Sequence, residues 1–198
     1  PIATSFTLGA YVAPAVEMLD IAAGGPGEFA KRPFMKAHIS PMISPMRYGE
    51  DAVDVLYECI RHNIPISCIT AAQAGATAPA TLAGFLAQSL AETLASLVVV
   101  NVISPGFPMI FSNWPFVIDL RSGAFAGGGG ETMLLNAASA QLSNWLGLPS
   151  GVASSMTDAK AIDAQSGYEK GMTSVEAALA GGNLIYESAG MTAGLLGV

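Results

Sequence analysis

Four stretches of this chain repeat one order: a short apolar strand, a loop rich in Pro, Gly, Ser or Asn, and an amphipathic helix. The predicted strands are His38–Ser44, Ile66–Ala71, Pro108–Asn113 and Ser150–Ser154. The predicted helices are Tyr48–His62, Pro79–Val102, Gly130–Leu146 and Ile162–Ala180, and a fifth strand, Asn183–Glu187, closes the series. Strand–helix–strand repeats build a parallel sheet covered by helices. In such sheets ligands bind where the C-terminal ends of the strands meet the following loops. A complete eight-fold βα barrel takes about 250 residues, so 198 residues with five strands predict a partial barrel or an open sheet.

The whole length reads as a single domain, with residues 1–37 forming an N-terminal helix and loop ahead of the regular units. Gly24-Gly25-Pro26-Gly27 is the strongest stop signal, ending a helix over Val12–Ala23. Charged residues are only 12% of the chain, against 52% hydrophobic, well below the roughly 25% charge of an average globular protein. So little charge favours a buried setting or a homo-oligomer. The net charge of −7 and the scattered Lys and Arg argue against nucleic acid as a partner. Thr81–Ile103 is the most apolar stretch, but it carries Gln88, Glu92 and Asn101. It therefore reads as a helix packed on the sheet rather than a membrane span. No signal peptide is legible, and Cys59 and Cys68 read as reduced buried thiols, which together predict a cytoplasmic protein.

The loops after the strands hold the candidate site residues. Gln73 is the polar group nearest the end of the second strand. Asn113 ends the third and is followed by Trp114 and Phe116, whose faces suit a cation unless they form an apolar plug. Gly127, Gly128 and Gly129 precede a helix whose N–H groups could hold an anion, although the run lacks the P-loop and dinucleotide registers. The alternative is a loop that needs glycine for close approach. Asp158 and Lys160 follow the fourth strand, where Asp158 either caps a helix or faces the site. Glu187 ends the fifth strand. His38 is expected at a strand start, far from the site, and His62 at a helix end. No His or Cys cluster has metal-ligand spacing, so no protein-bound metal is expected.

Three motifs, in order, resemble the trimethylamine methyltransferase (MttB) family. They are Gly75-Ala-Thr-Ala-Pro-Ala-Thr-Leu-Ala-Gly84 with Ala91-Glu92-x-Leu94-Ala95, then Thr157-Asp-Ala-Lys160 with Asp163-Ala-Gln165 and Gly167-Tyr-Glu-Lys170. The third is Asn183-Leu-Ile followed by Ala189-Gly-Met191. The resemblance implies a segment of a (β/α)8 TIM barrel that moves a methyl group from a methylated amine to the cobalt of a corrinoid. That corrinoid is carried by a separate partner protein. No pyrrolysine is written in the chain, so it resembles the branch acting on quaternary amines such as glycine betaine. For such a substrate, the positions of Trp114 and Phe116 suggest a wall for the cation, those of Asp158 or Glu187 a balance for its charge, and those of Gln73, Asn113 or Lys160 a hold on a substrate carboxylate. The glycines 127–129 lie against the corrinoid. A neutral tertiary amine leaves without a general acid, so positioning and electrostatics are what the protein must supply.

Two other readings use the same residues. One is a barrel lyase or aldolase with Lys160 as a Schiff-base nucleophile. The other is a non-catalytic barrel fragment that binds a partner subunit.

Overall fold

Pro33 delivers the chain into an alternating run, Met35-Lys36-Ala37-His38-Ile39, and that run sets the geometry of the half-barrel that follows. The computed structural model describes residues 2–187 and 191–192. Its first βα unit is β1 (Ile2–Thr4) and α1 (Val12–Ala23), with a short α2 (Glu28–Lys31) leading to β2 (Met35–Ile39). A small antiparallel hairpin, β3 (Met42–Ile43) and β4 (Arg47–Tyr48), precedes α3 (Glu50–Arg61). Then come β5 (Ile66–Thr70), a two-residue β6 (Gln73–Ala74) and the long α4 (Leu82–Ile103). The chain continues through β7 (Met109–Asn113), β8 (Phe116–Val117), α5 (Gly130–Trp145), β9 (Ser150–Ala153), α6 (Ala164–Leu179) and β10 (Leu184–Tyr186).

The main sheet has six strands in the order β1-β2-β5-β7-β9-β10, every neighbouring pair parallel, curled into a half-barrel with helices outside. Sequential strands as neighbours, each joined through a helix, is the pattern of a βα barrel segment. β6 and β8 pair in parallel just beyond β5 and β7, extending the wall toward the C-terminal rim.

Two expectations shift. Residues 2–34 do not stand ahead of the regular units, because Ile2, Ala3 and Thr4 pair with Met35, Lys36 and Ala37. The second strand runs Met35–Ile39, not His38–Ser44. Pro41 lacks an N–H for the ladder, and the chain turns into the hairpin, which holds a cis Ser44–Pro45 bond. His38 therefore lies near the C-terminal end of its strand.

The helix-facing sides of the strands make the core. Ala37, Ile39, Ile66 and Cys68 pack with Val55, Leu56 and Cys59 of α3 and Val100 of α4. Cys59 and Cys68 are free and buried, and burial pushes both thiols up to about 12. By length and composition α4 could cross a membrane, but it lies against β5 and β7, with Ser89, Glu92, Thr93 and Ser96 buried. Glu92 is fully buried. Its carboxylate accepts from Ser44 Oγ (2.5 Å), Met46 N–H (2.8 Å) and Gln88 Nε2 (3.0 Å), so it ties the hairpin to α4. Helix ends follow local rules: Gly24, at φ 111°, closes α1, and Asp163 caps α6 by accepting from Ser166 N–H.

Candidate functional site

Side chains of a strand alternate between faces, and here the inner face carries polar groups. Lys36, His38, Ser67, Ser112 and Tyr186 meet inside the half-barrel. Lys36 Nζ lies 2.6 Å from His38 Nε2 and donates to Tyr186 Oη at 3.0 Å. Ser67 and Ser112 hydroxyls pair at 2.8 Å; Ser67 also bonds Tyr186 Oη, and Ser112 reaches it at 3.3 Å. Gly151 makes room for this network: a Cβ there would stand 2.5 Å from both Ser112 Oγ and the Tyr186 ring.

Burial sets the protonation states. It lowers the Lys36 ammonium to about 8. Burial first, and then the Lys36 charge, lower His38 to about 4. At neutral pH Lys36 is charged and His38 neutral. An ammonium can only donate, so Nε2 of His38 accepts and its proton sits on Nδ1. Tyr186 is pushed up by burial, against the opposing hydrogen bonds from Ser112 and Ser67.

Above this network stands an aromatic wall. The Trp114 ring centroid is 4.9 Å from that of Tyr186 and 6.1 Å from that of His38, and His38 and Tyr186 meet edge to face at 5.0 Å. The rings touch one another, so they offer a face rather than a closed cage. Trp114 Nε1 is buried and has no hydrogen-bond partner among the described residues. Phe116 is 8% exposed and packs edge to face on Phe125 at 4.8 Å, in an apolar cluster with Ala153, Met156, Trp114 and Met191. That cluster is the plug the sequence offered as one alternative, and Trp114 is its boundary with the polar network.

The other sequence-predicted residues are dispersed. Asn113 is 2% exposed and turns to the helices, donating to Ser89 Oγ at 3.0 Å and Ser139 Oγ at 3.1 Å, so it is not at the mouth. The parity of β7 explains this: Ser112 and Trp114 share the inner face, and Asn113 lies between them. Asp158 accepts from Gly127 N–H (2.8 Å) and Gly128 N–H (3.3 Å), so the glycine loop already holds an anion from its own chain. A Cβ at Gly127 would press on Phe125 and Met156, and one at Gly128 would collide with the Glu169 carboxylate, which is the close-approach reading of these glycines. Gly129 caps α5 without a side-chain bond. Glu169 completes this assembly by accepting from Thr157 Oγ1, Asp158 N–H and Gln165 Nε2. Lys160 is exposed. Gln73 lines a cavity of about 230 Å³ beside Ser40, Met42 and Thr77. Glu187 follows β10 in left-handed backbone (φ 64°), half-buried, and burial raises its carboxyl.

Lys36, His38, Ser67, Ser112 and Tyr186 were not among the predicted site residues. The legible signal was polar residues alternating with apolar ones in strands that parallel packing makes apolar on the helix side. Among the described residues no group of three or more His, Cys, Asp or Glu side chains is gathered for a metal.

Comparison with known proteins bears on what such a half-barrel does. A family model described as trimethylamine methyltransferase (MTTB) matches residues 2–198. The glycine betaine methyltransferase of Desulfitobacterium hafniense (strain Y51) is 34% identical over 89% of this chain and 36% of its own length. The trimethylamine methyltransferase MttB of Methanosarcina barkeri is 35% identical over 85% of the chain and 34% of its own. A trimethylamine methyltransferase MttB of D. hafniense (strain DSM 10664 / DCB-2) is 32% identical over 89% and 35%. The chain thus spans about a third of the length of the curated relatives it matches.

Proposed function

The chain belongs to the trimethylamine methyltransferase family, and from that premise we propose that it forms part of a (β/α)8 methyltransferase barrel. The barrel moves a methyl group from a methylated amine, of the quaternary kind, to the cobalt of a corrinoid carried by a separate protein in the cytoplasm. The observation that carries this reading is the aromatic face of Trp114 and Tyr186 at the C-terminal rim of a parallel sheet. Aromatic faces attract cations most strongly when water is excluded, and the rim is where such sheets bind ligands.

Each group then has a physical task. Trp114 presents the cation-favouring surface, with Phe116 and Phe125 packed behind it to keep that surface dry. On this reading Glu187, which follows β10 directly, answers the ammonium charge. Burial raises its carboxyl, and a bound cation would lower it again. Gln73 supports the rim from its own cavity. Gly127 and Gly128 do not fit a corrinoid-holding loop, because Asp158 takes their N–H groups. A corrinoid brought by another protein asks only for an open approach. A corrinoid would supply a nucleophilic metal to accept the methyl group, and the C–N electron pair would stay with nitrogen, so that a neutral tertiary amine leaves. No proton moves, so the site needs no general acid; its contribution is alignment and water exclusion.

The Schiff-base reading draws no support from Lys160, since an activated lysine is a desolvated one and Lys160 is exposed. The test is a methyl-transfer assay with the full-length protein, a reduced corrinoid protein and a panel of methylated amines. Cobalt methylation followed by visible absorbance is expected with a quaternary amine and to fall at least tenfold in Trp114→Ala. Turnover of no methylated amine, or an unimpaired Trp114→Ala, would remove this reading.

A further inference from the structure

Among the described residues Lys36 is the one buried cation, and no carboxylate pairs with it. Its residue is 7% exposed. Its two polar neighbours, His38 Nε2 and Tyr186 Oη, are neutral acceptors. An ammonium has three donors, so one remains. Trp114 Nε1, in the same ring cluster, is a second buried donor without an acceptor among the described residues. Lys36 is also not sealed in. On the side of the strand starts, away from Trp114, it lines a cavity of about 620 Å³ with Arg32, Phe34, Pro65, Ile110 and Leu184, a lining with two cations and no carboxylate. Buried charges are normally paired, and a surplus of donors and positive charge marks a place for an anion.

We propose that the inner face of β2 and β10 is an anion subsite in which Lys36 receives the carboxylate of a zwitterionic quaternary amine whose ammonium end lies toward Trp114. This rests on the methylated-amine reading and deepens it, because it assigns one residue to the choice between a carboxylate-bearing substrate and one with a neutral tail. The arrangement is polar in the right sense. Lys36 lies over the Tyr186 ring at 4.4 Å from its centroid, so a second cation is repelled from that end. His38, two residues further along β2, is neutral and adds no charge at the aromatic end. A carboxylate at Lys36 would also restore the ammonium toward its ordinary range, since an opposite charge favours the charged form.

The test uses the full-length protein and three probes: glycine betaine, choline (the same trimethylammonium with a hydroxyl in place of the carboxylate) and acetate. Calorimetry should show glycine betaine bound at least about tenfold more tightly than choline. In Lys36→Met the ratio should collapse toward one, and in Lys36→Arg most of it should return, with circular dichroism confirming both folds. In parallel, NMR titration of the Lys36 side chain should show its pKa raised by glycine betaine and by acetate, and not by choline. A ratio unchanged in Lys36→Met, with no carboxylate-dependent change in Lys36 titration, would overturn the subsite while leaving choline and glycine betaine as ligands. If acetate raises the Lys36 pKa and neither quaternary amine binds, the anion subsite stands and the methylated-amine reading fails.

Discussion

A lysine held at about 8 inside a folded chain leaves a signature in stability, and Lys36 is placed to show it. Unfolded, this amine keeps its proton up to its ordinary value of 10.5; folded, burial releases it at about 8. Between those values the unfolded chain binds more protons than the folded one, so stability rises with pH through that window. The interval is about 2.5 pH units, and at about 1.4 kcal/mol per unit the ceiling is ~3.5 kcal/mol. Lys36 borders a cavity of about 620 Å³, where water screens part of the cost, so we expect about 2 kcal/mol. Lys36→Met removes the titrating group and keeps the length of the side chain. Urea unfolding of both proteins at pH 7, 8, 9 and 10 isolates the effect as a difference in which the other titrating groups cancel. The wild type should gain most of that ~2 kcal/mol relative to Lys36→Met between pH 8 and pH 10. A difference that stays flat or falls with pH would show that Lys36 is solvated or paired, and the reasoning about its burial would fail.

Other perturbations follow from the same contacts. Gly151→Ala should push Ser112 and Tyr186 apart, at about 1–3 kcal/mol of stability and with a change in Tyr186 ring shifts by NMR. Glu92→Ala should cost about 2 kcal/mol or more, because Ser44 Oγ, Met46 N–H and Gln88 lose a common acceptor, and the hairpin should become open to protease. Asp158→Ala should release Gly127 and Gly128, read as faster amide exchange at those two positions with a modest loss of stability of about 1 kcal/mol. Acidification should weaken the fold between pH 6.5 and about 4, since folded His38 takes its proton only near 4 while the unfolded imidazole takes it near 6.5.

The βα order was legible because each unit carries its own punctuation. Four of the five predicted strands match within a residue or so, and α1 matches over Val12–Ala23. β1 was not legible, since three residues with no alternation say nothing until β2 pairs with them. The displacement of β2 came from reading Pro41 and its neighbours as strand, and it hid the main result. Once the strand is Met35–Ile39, Lys36 and His38 share a face and His38 sits near the working end. The candidate site was legible only in part. Trp114 follows a strand, and its ring lies against those of His38 and Tyr186. Asn113 was not separable from it without the parity of β7, because one residue's shift reverses the face. Asp158 offered either a helix cap or a site carboxylate and the glycine run either close approach or an anion loop, and the fold joins the two through the Gly127 and Gly128 N–H groups, a contact across 30 or 31 residues that spacing does not show. Tyr186 was overlooked beside the charge of Glu187, although a hydroxyl on an inner strand face is as informative as a carboxylate at its end.

A methylated cation seated at the inner rim against Trp114 and Tyr186 brings its N-methyl protons within nuclear Overhauser range of those rings, which can be measured with glycine betaine bound to the full-length protein. Contacts to the ring protons of Trp114 and Tyr186 are expected. Contacts confined to exposed aromatics such as Trp145 and Tyr168, or none at all, would contradict it.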